Sequence, residues 1–255
     1  MTLRVRISGA GPDVVLLHGW ALNGGVWRHM AGELARRHRV TVIDLPGHGR
    51  SSMPPGDYTL PRLAEAVAAA LPGRCRLVGW SLGGMVALQI ALDTGPDIDR
   101  LVLVDSTPQF VANEAWPYGL EAAVLDGFAE QLKRDYRATI QRFLALQTLT
   151  AENARETLIA LKEQMAEAPP PDPRALAGGL AILRHASLAS RLGDIRAPVT
   201  VIQGERDTLV PAAAARAMVE RLPRADLHLI KSAGHAPFLS HPRAFLALIE
   251  GLDGA

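Results

Sequence analysis

Gly79-Trp80-Ser81-Leu82-Gly83 decides how this chain is read, because of what stands on either side of it. Before it, Cys75-Arg76-Leu77-Val78 is a short apolar run. After it, from Met85 to Leu92, apolar side chains recur at three- and four-residue spacing. The five residues are therefore expected to turn a strand into a helix. A serine at such a sharp turn sits in a strained backbone conformation that lifts its hydroxyl clear of the sheet. Glycines two residues before and after it remove side chains that would strike neighbouring backbone. On this ground Ser81 is the expected nucleophile.

Working outward, apolar runs rich in β-branched residues recur at 14–17, 40–44, 76–79, 101–105, 199–203 and 227–230, and read as buried parallel strands. Between them, 63–71, 85–92 and 212–222 have helical spacing, which implies an α/β fold: a mostly parallel central sheet with helices on both faces. The rhythm breaks after Thr107-Pro108. From there helical periodicity runs without a strand until Asp194-Ile195-Arg196-Ala197-Pro198, so 1–108 and 187–255 are expected to form the core and 109–186 an inserted helical cap. Inside the cap, Pro169-Pro170-Pro171-Asp172-Pro173 must interrupt helix, since proline has no amide hydrogen and restrains its predecessor.

Composition narrows the function. With 27 basic against 26 acidic side chains and 48% apolar residues, the chain suits a globular protein with a sizeable core and gives no reason to expect nucleic acid as a partner. The single cysteine, Cys75, excludes an internal disulfide framework and reads as a buried strand residue. No segment has the length of a membrane span or the pattern of a secretion signal, so a cytoplasmic protein with no membrane partner is expected; a monomer is the expected state.

A serine hydroxyl is a poor nucleophile at neutral pH and needs a base, together with a group that holds that base in the right tautomer. Asp207, in Gly204-Glu205-Arg206-Asp207-Thr208, follows the strand at 199–203, and His235, in Ala233-Gly234-His235-Ala236-Pro237-Phe238, follows the strand at 227–230. Both are expected at the carboxyl edge of the sheet, in the order nucleophile, acid, histidine. Asp105 ends the strand at 101–105 and is the competing acid; Asp207 is preferred, and Asp105 is read as a polar loop residue or helix cap. His29, His38, His185 and His228 read as surface or packing residues, and His241, before Pro242, as the start of a helix. Donors for the oxyanion are expected from the backbone amides of Trp20, in Leu17-His18-Gly19-Trp20, and of Leu82. His18 is expected to brace that loop by hydrogen bonding. No metal-ligand spacing, phosphate loop or dinucleotide fingerprint is visible, and hydrolysis without metal or cofactor is the expectation.

Taken together, Leu16-Leu17-His18-Gly19-Trp20, Asp44-Leu45-Pro46-Gly47, Gly79-Trp80-Ser81-Leu82-Gly83-Gly84 and His235-Ala236-Pro237-Phe238 resemble an α/β-hydrolase of the biotin-synthesis carboxylesterase type. That family cleaves the methyl ester of pimeloyl-acyl-carrier protein. The resemblance extends into the cap, where Arg142-Phe143-Leu144-Ala145-Leu146-Gln147-Thr148 and Gly178-Gly179-Leu180 are similar to the family's pattern. It implies the triad of Ser81, Asp207 and His235, oxyanion donors at Trp20 and Leu82, and a substrate pocket lined in part by Trp20, Trp80 and Phe143. It also implies that cap arginines, here Arg142 and Arg155, receive an acidic carrier protein. Two further arginine positions of the family hold Ala138 and Ile159; Arg137 and Lys162 are the expected substitutes, with Arg134, Arg137 and Gln141 sharing one helix face. The alternatives with the same motifs are a general short-chain esterase and a small-molecule receptor that turns its ligand over slowly or not at all.

Overall fold

In the computed structural model, which describes residues 1–93, 97–149, 151–166 and 168–254, the apolar runs become one sheet. Its strands are β1 (Val5–Ser8), β2 (Asp13–Leu17), β3 (Arg39–Ile43), β4 (Cys75–Trp80), β5 (Ile98–Val104), β6 (Val199–Gly204) and β7 (Ala225–Ile230). Their order is β1-β3-β2-β4-β5-β6-β7, and every pairing is parallel except β1 with β3. All six residues of β4 and of β6 are buried, as expected of central strands covered on both faces. The six strands read from the sequence are all present. The seventh, β1, was not read as a strand, because Val5-Arg6-Ile7-Ser8 lies at the sheet edge with three of its four residues exposed and has no apolar run.

The helices are α1 (Arg28–Leu34), α2 (Leu60–Ala68), α3 (Leu82–Leu92), α4 (Ala122–Arg134), α5 (Tyr136–Thr148), α6 (Ala154–Ala166), α7 (Pro173–His185), α8 (Ala212–Arg221), α9 (Pro237–Ser240) and α10 (Pro242–Gly251). In α3 ten of the eleven residues are buried, because it packs against β4, β5 and α2 and has no solvent face. Helices α4 to α7 are inserted between β5 and β6, which are neighbours in the sheet. Asp135, with φ −152°, separates α4 from α5, and its side chain caps α5 by accepting from the Ala138 amide at 3.0 Å. Arg134 and Arg137 therefore lie on different helices and do not share a helix face, contrary to the reading from spacing alone. The proline run ends where Asp172 caps α7, accepting from the Arg174 amide at 2.8 Å, with Pro173 in the first helical turn. No helix among the described residues is long and apolar enough to cross a membrane.

Candidate active site

Ser81 stands between the last residue of β4 and the first of α3, with φ 55° and ψ −120°. A non-glycine residue held there costs about 1–3 kcal/mol, and the surroundings must enforce it. They do so through the backbone: the Ser81 amide donates to Val104 O at 3.0 Å, and Ser81 O accepts from the Gly84 amide at 2.9 Å and from Ser106 Oγ at 2.8 Å. A Cβ on Gly79 would sit 2.4 Å from Gly83 O, and one on Gly83 would sit 2.5 Å from His18 O. The two glycines are needed so that β4, α3 and the loop after β2 can pass this close.

Asp207 and His235 come from the loops after β6 and β7 and meet at the same edge. Asp207 Oδ1 accepts from the amides of Leu209 and Val210 at 2.8 and 3.1 Å, while Oδ2 accepts from Gln203 Nε2 at 3.2 Å and from His235 Nδ1 at 2.6 Å. With the carboxylate on Nδ1, the imidazole proton sits there and Nε2 keeps its lone pair. That Nε2 is buried and has no hydrogen-bond partner among the described residues. The His235 backbone is clamped as well, its carbonyl accepting from Trp80 Nε1 at 2.6 Å and its amide donating to Gln147 O at 3.1 Å. Trp80, expected to line the pocket, is fully buried, stacks edge-on against Phe238, and spends its indole proton on the His235 carbonyl.

Asp105 lies in the loop after β5, one of its two expected places, but it is buried there and starts no helix. It is fully buried at φ 42°, and the next helix starts only at Ala122. Its Oδ1 accepts from the Gly204 amide at 2.7 Å, and its carboxyl lies with Asp207 and His235 in a cluster whose potential ligand atoms are within 4.8 Å of one another. Burial and the charge of Asp207 push the Asp105 carboxyl well above the usual carboxylate range. Such a cluster also has the composition of a metal site. Asp207, however, already receives four donors and His235 Nδ1 is turned onto Asp207, so the Asp207 carboxylate and this ring nitrogen are held in hydrogen bonds.

The loop carrying Trp20 lies against Ser81: a Cβ on Gly19 would be 3.2 Å from Ser81 Cβ. Leu82 is the first residue of α3, so its amide has no intrahelical acceptor and points from the positive end of the helix dipole. His18 braces the loop, with Nδ1 2.8 Å from Gly19 O and Nε2 accepting from the Leu45 amide at 2.9 Å. A second brace was missed in the sequence. His48 sits in the turn after β3, Nδ1 3.1 Å from Pro46 O, and its Nε2 accepts from the Ala21 amide at 3.3 Å. Both rings are fully buried, and desolvation holds both below the usual imidazole range, His48 down to about 3 with His18 adding to the effect. A lowered folded-state pKa means that the unfolded chain binds the proton more readily. The stabilisation from neutral His48 is thus complete above about pH 6.5 and is lost as pH falls from there toward about 3. Thermal unfolding of His48→Gln should therefore show a shallower fall of Tm across that window than the wild type; parallel profiles would remove His48 from the acid response.

The helical insertion is tied directly to this edge. Trp20 Nε1 donates to Leu176 O of α7 at 2.9 Å, and its indole meets Phe143 of α5 edge-on at 4.8 Å, a pairing worth roughly 0.5–1.5 kcal/mol beyond its burial. Arg142 and Arg155 do not reach the edge. Both are exposed, Arg142 on α5 with its guanidinium over the Phe128 ring and donating to Gln131 Oε1 at 3.1 Å, and Arg155 on α6. The remaining histidines are peripheral: His29 and His185 are exposed, His38 and His228 pair with Asp253 and Asp226, and His241 precedes α10. Cys75 is buried in β4, and burial pushes its thiol up to about 12. Of the residues that sequence reasoning missed, Gln203 had a readable signal, a polar residue at the end of an apolar strand. Gln147 had none, since its role depends on where α5 docks.

Residues 12–242 match the family model described as the alpha/beta hydrolase fold. The chain is 43% identical, over all 255 residues and the full length of both proteins, to a pimeloyl-[acyl-carrier protein] methyl ester esterase of Aeromonas salmonicida. It is 42% identical to the protein of the same name from Nitrosomonas europaea, over 98% of this chain and 99% of that one. Among solved structures it resembles an esterase from Exiguobacterium antarcticum, with a TM-score of 0.90 at 23% identity over 99% of this chain and 96% of that one. It also resembles a hydrolase from Pseudomonas aeruginosa, with a TM-score of 0.82 at 29% identity over 99% and 94%. A Ser81 elbow after β4, an acid and a histidine after the last two strands, and a sequence alike from end to end lead to one conclusion: the chain belongs to the alpha/beta hydrolase fold family and, within it, to the family of the pimeloyl-[acyl-carrier protein] methyl ester esterases.

Proposed function

We propose that the protein is a cytoplasmic serine carboxylesterase that hydrolyses the methyl ester of pimeloyl-acyl-carrier protein during biotin precursor synthesis, without a cofactor. The observation that carries this reading is the buried 2.6 Å contact between Asp207 and His235, which leaves Nε2 as an unpartnered base at the edge where Ser81 turns. The names of the full-length relatives supply the substrate. His235 takes the proton of Ser81 Oγ as that oxygen attacks the ester carbonyl, and the amides of Trp20 and Leu82 receive the negative oxygen. Collapse expels methoxide, which leaves as methanol with the proton from His235. Water, deprotonated by His235 in turn, then attacks the acyl-enzyme; Ser81 Oγ leaves with the proton from His235, and a free carboxylate remains at the far end of the acyl chain.

Residues 109–186 act as the cap in this reading. Trp20 and Phe143 shape the acyl passage, and Arg142 and Arg155 meet acidic groups of the carrier. Methanol release from pimeloyl-carrier-protein methyl ester by the purified protein is the direct test; turnover of short free esters alone, with none of the carrier-bound one, would reduce the protein to a general esterase. Replacing both arginines with glutamate should raise KM for the carrier-bound ester roughly tenfold, at about 1 kcal/mol or less for each exposed pair, while a small free ester is hydrolysed as before. Salt should weaken the wild-type carrier reaction more than that of the variant. Equal losses on both substrates would assign the arginines to support of the cap, through the Phe128 and Gln131 contacts of Arg142 for example.

A further inference from the structure

The proposed chemistry uses Ser81, His235 and Asp207 but not the second buried carboxyl beside them. Asp105 arrives there because β5 and β6 are adjacent parallel strands in which Val104 pairs with Ile202, so the ends of both strands reach the site side by side. The Asp105 amide donates to Ile202 O at 3.0 Å, and its Oδ1 accepts from the Gly204 amide at 2.7 Å. Its Oδ2 is buried and receives no donor among the described residues. Asp207, in the same cluster, receives four. A buried carboxylate oxygen with no donor is costly, and two carboxylates sharing a dry site do not both stay ionised; the one with fewer donors takes the proton. A protonated carboxyl oxygen is itself a donor, and the neighbouring carboxylate, with potential ligand atoms of the cluster within 4.8 Å of one another, is Asp207.

We propose that Asp105 is a positioning residue: neutral, it donates its Oδ2 proton to the Asp207 carboxylate and so holds Asp207 in the orientation that presents Oδ2 to His235. The upward push on the Asp105 carboxyl from burial and from Asp207 agrees with this. The titratable groups that face Asp105 are Asp207, from the loop after β6, and His235, from the loop after β7; its own turn contributes only the hydroxyls of Ser106 and Thr107. This rests on the reading of Ser81, His235 and Asp207 as the reacting machinery.

The test is the acid limb of kcat/KM for p-nitrophenyl butyrate, where the imidazole takes up its proton, measured with kcat and Tm for Asp105→Ala, Asp105→Asn and Asp207→Asn. Asp105→Ala removes the donor. Its kcat should fall roughly ten- to a hundredfold with KM little changed, through misplacement of the Asp207–His235 pair. Its limb should move to higher pH, since an unshared Asp207 anion holds the imidazolium proton more tightly. Asp105→Asn keeps an acceptor for the Gly204 amide, offers an N–H in place of the protonated oxygen, and tolerates positive φ. It should recover most of what alanine loses, with its limb within about 0.3 pH unit of the wild type. A limb that moves down by about half a unit or more in Asp105→Asn would mean that Asp105 carries a charge, and would overturn the proposal. So would a folded Asp105→Ala with unchanged kcat and limb. If alanine does not fold, the asparagine limb decides alone. The Asp207→Asn control separates the two levels: a small effect there sinks the underlying assignment, whereas a large one beside a failed Asp105 result sinks only this inference.

Discussion

Ser81→Ala is expected to lower kcat for ester hydrolysis by roughly four to six orders of magnitude while leaving the fold in place. In the proposed mechanism the hydroxyl oxygen is the atom that becomes bonded to the acyl group. The fold should survive because the elbow is held through backbone atoms and Ser106, not through Ser81 Oγ: the Ser81 amide bonds Val104 O, and its carbonyl takes Gly84 and Ser106. Alanine meets the same positive φ that serine already tolerates, so the strain is not increased appreciably. Residual turnover from the oxyanion donors and binding alone is expected, at about a thousand- to ten-thousandfold above water. The measurement is kcat on a chromogenic ester with Tm recorded in parallel. A mutant within tenfold of wild type, at matched Tm and free of contaminating esterase, would end the nucleophile assignment.

Asp207→Asn should cost about ten thousandfold in kcat. The donors around Asp207 set the size of this effect. The amides of Leu209 and Val210 hold Oδ1, so an asparagine must leave its carbonyl oxygen there and turn its NH2 toward His235 Nδ1. Two donors then face one another unless the imidazole moves its proton to Nε2. That shift removes the lone pair that accepts the serine proton. A loss of less than about a hundredfold, or a larger loss in Asp105→Asn at equal Tm, would transfer the acid role to the end of β5.

Much of this architecture was legible along the chain because its causes are local. Buried parallel strands need continuous apolar runs, and helices need three- and four-residue spacing, so six of seven strands could be read within a few residues. Edge strand β1 escaped because exposure at a sheet edge removes the apolar signal. The elbow was readable for a steric reason: Gly79 and Gly83 are required within five residues of the serine by contacts of 2.4 and 2.5 Å that any side chain would make. Arg134 and Arg137 were misplaced because spacing cannot tell that Asp135 leaves helical geometry, with φ −152°, and starts a new helix.

The sequence alone determined the fold class, the strand-to-helix turn at Ser81 and the chain order of Ser81, Asp207 and His235, since each depends on residues adjacent in the chain. Only the tertiary structure decided what surrounds them. Asp207 is bonded to His235 because the loops after β6 and β7 converge, and Gln147 holds the His235 amide because α5 docks there. His48 braces the Trp20 loop through the Ala21 amide, across 27 residues of chain. Asp105 joins the site through the register of β5 against β6, 99 residues from the Gly204 amide that it accepts. Hydrogen bonds of this kind depend on which strand ends lie side by side and on the burial that removes competing water, and neither property belongs to any stretch of sequence taken by itself.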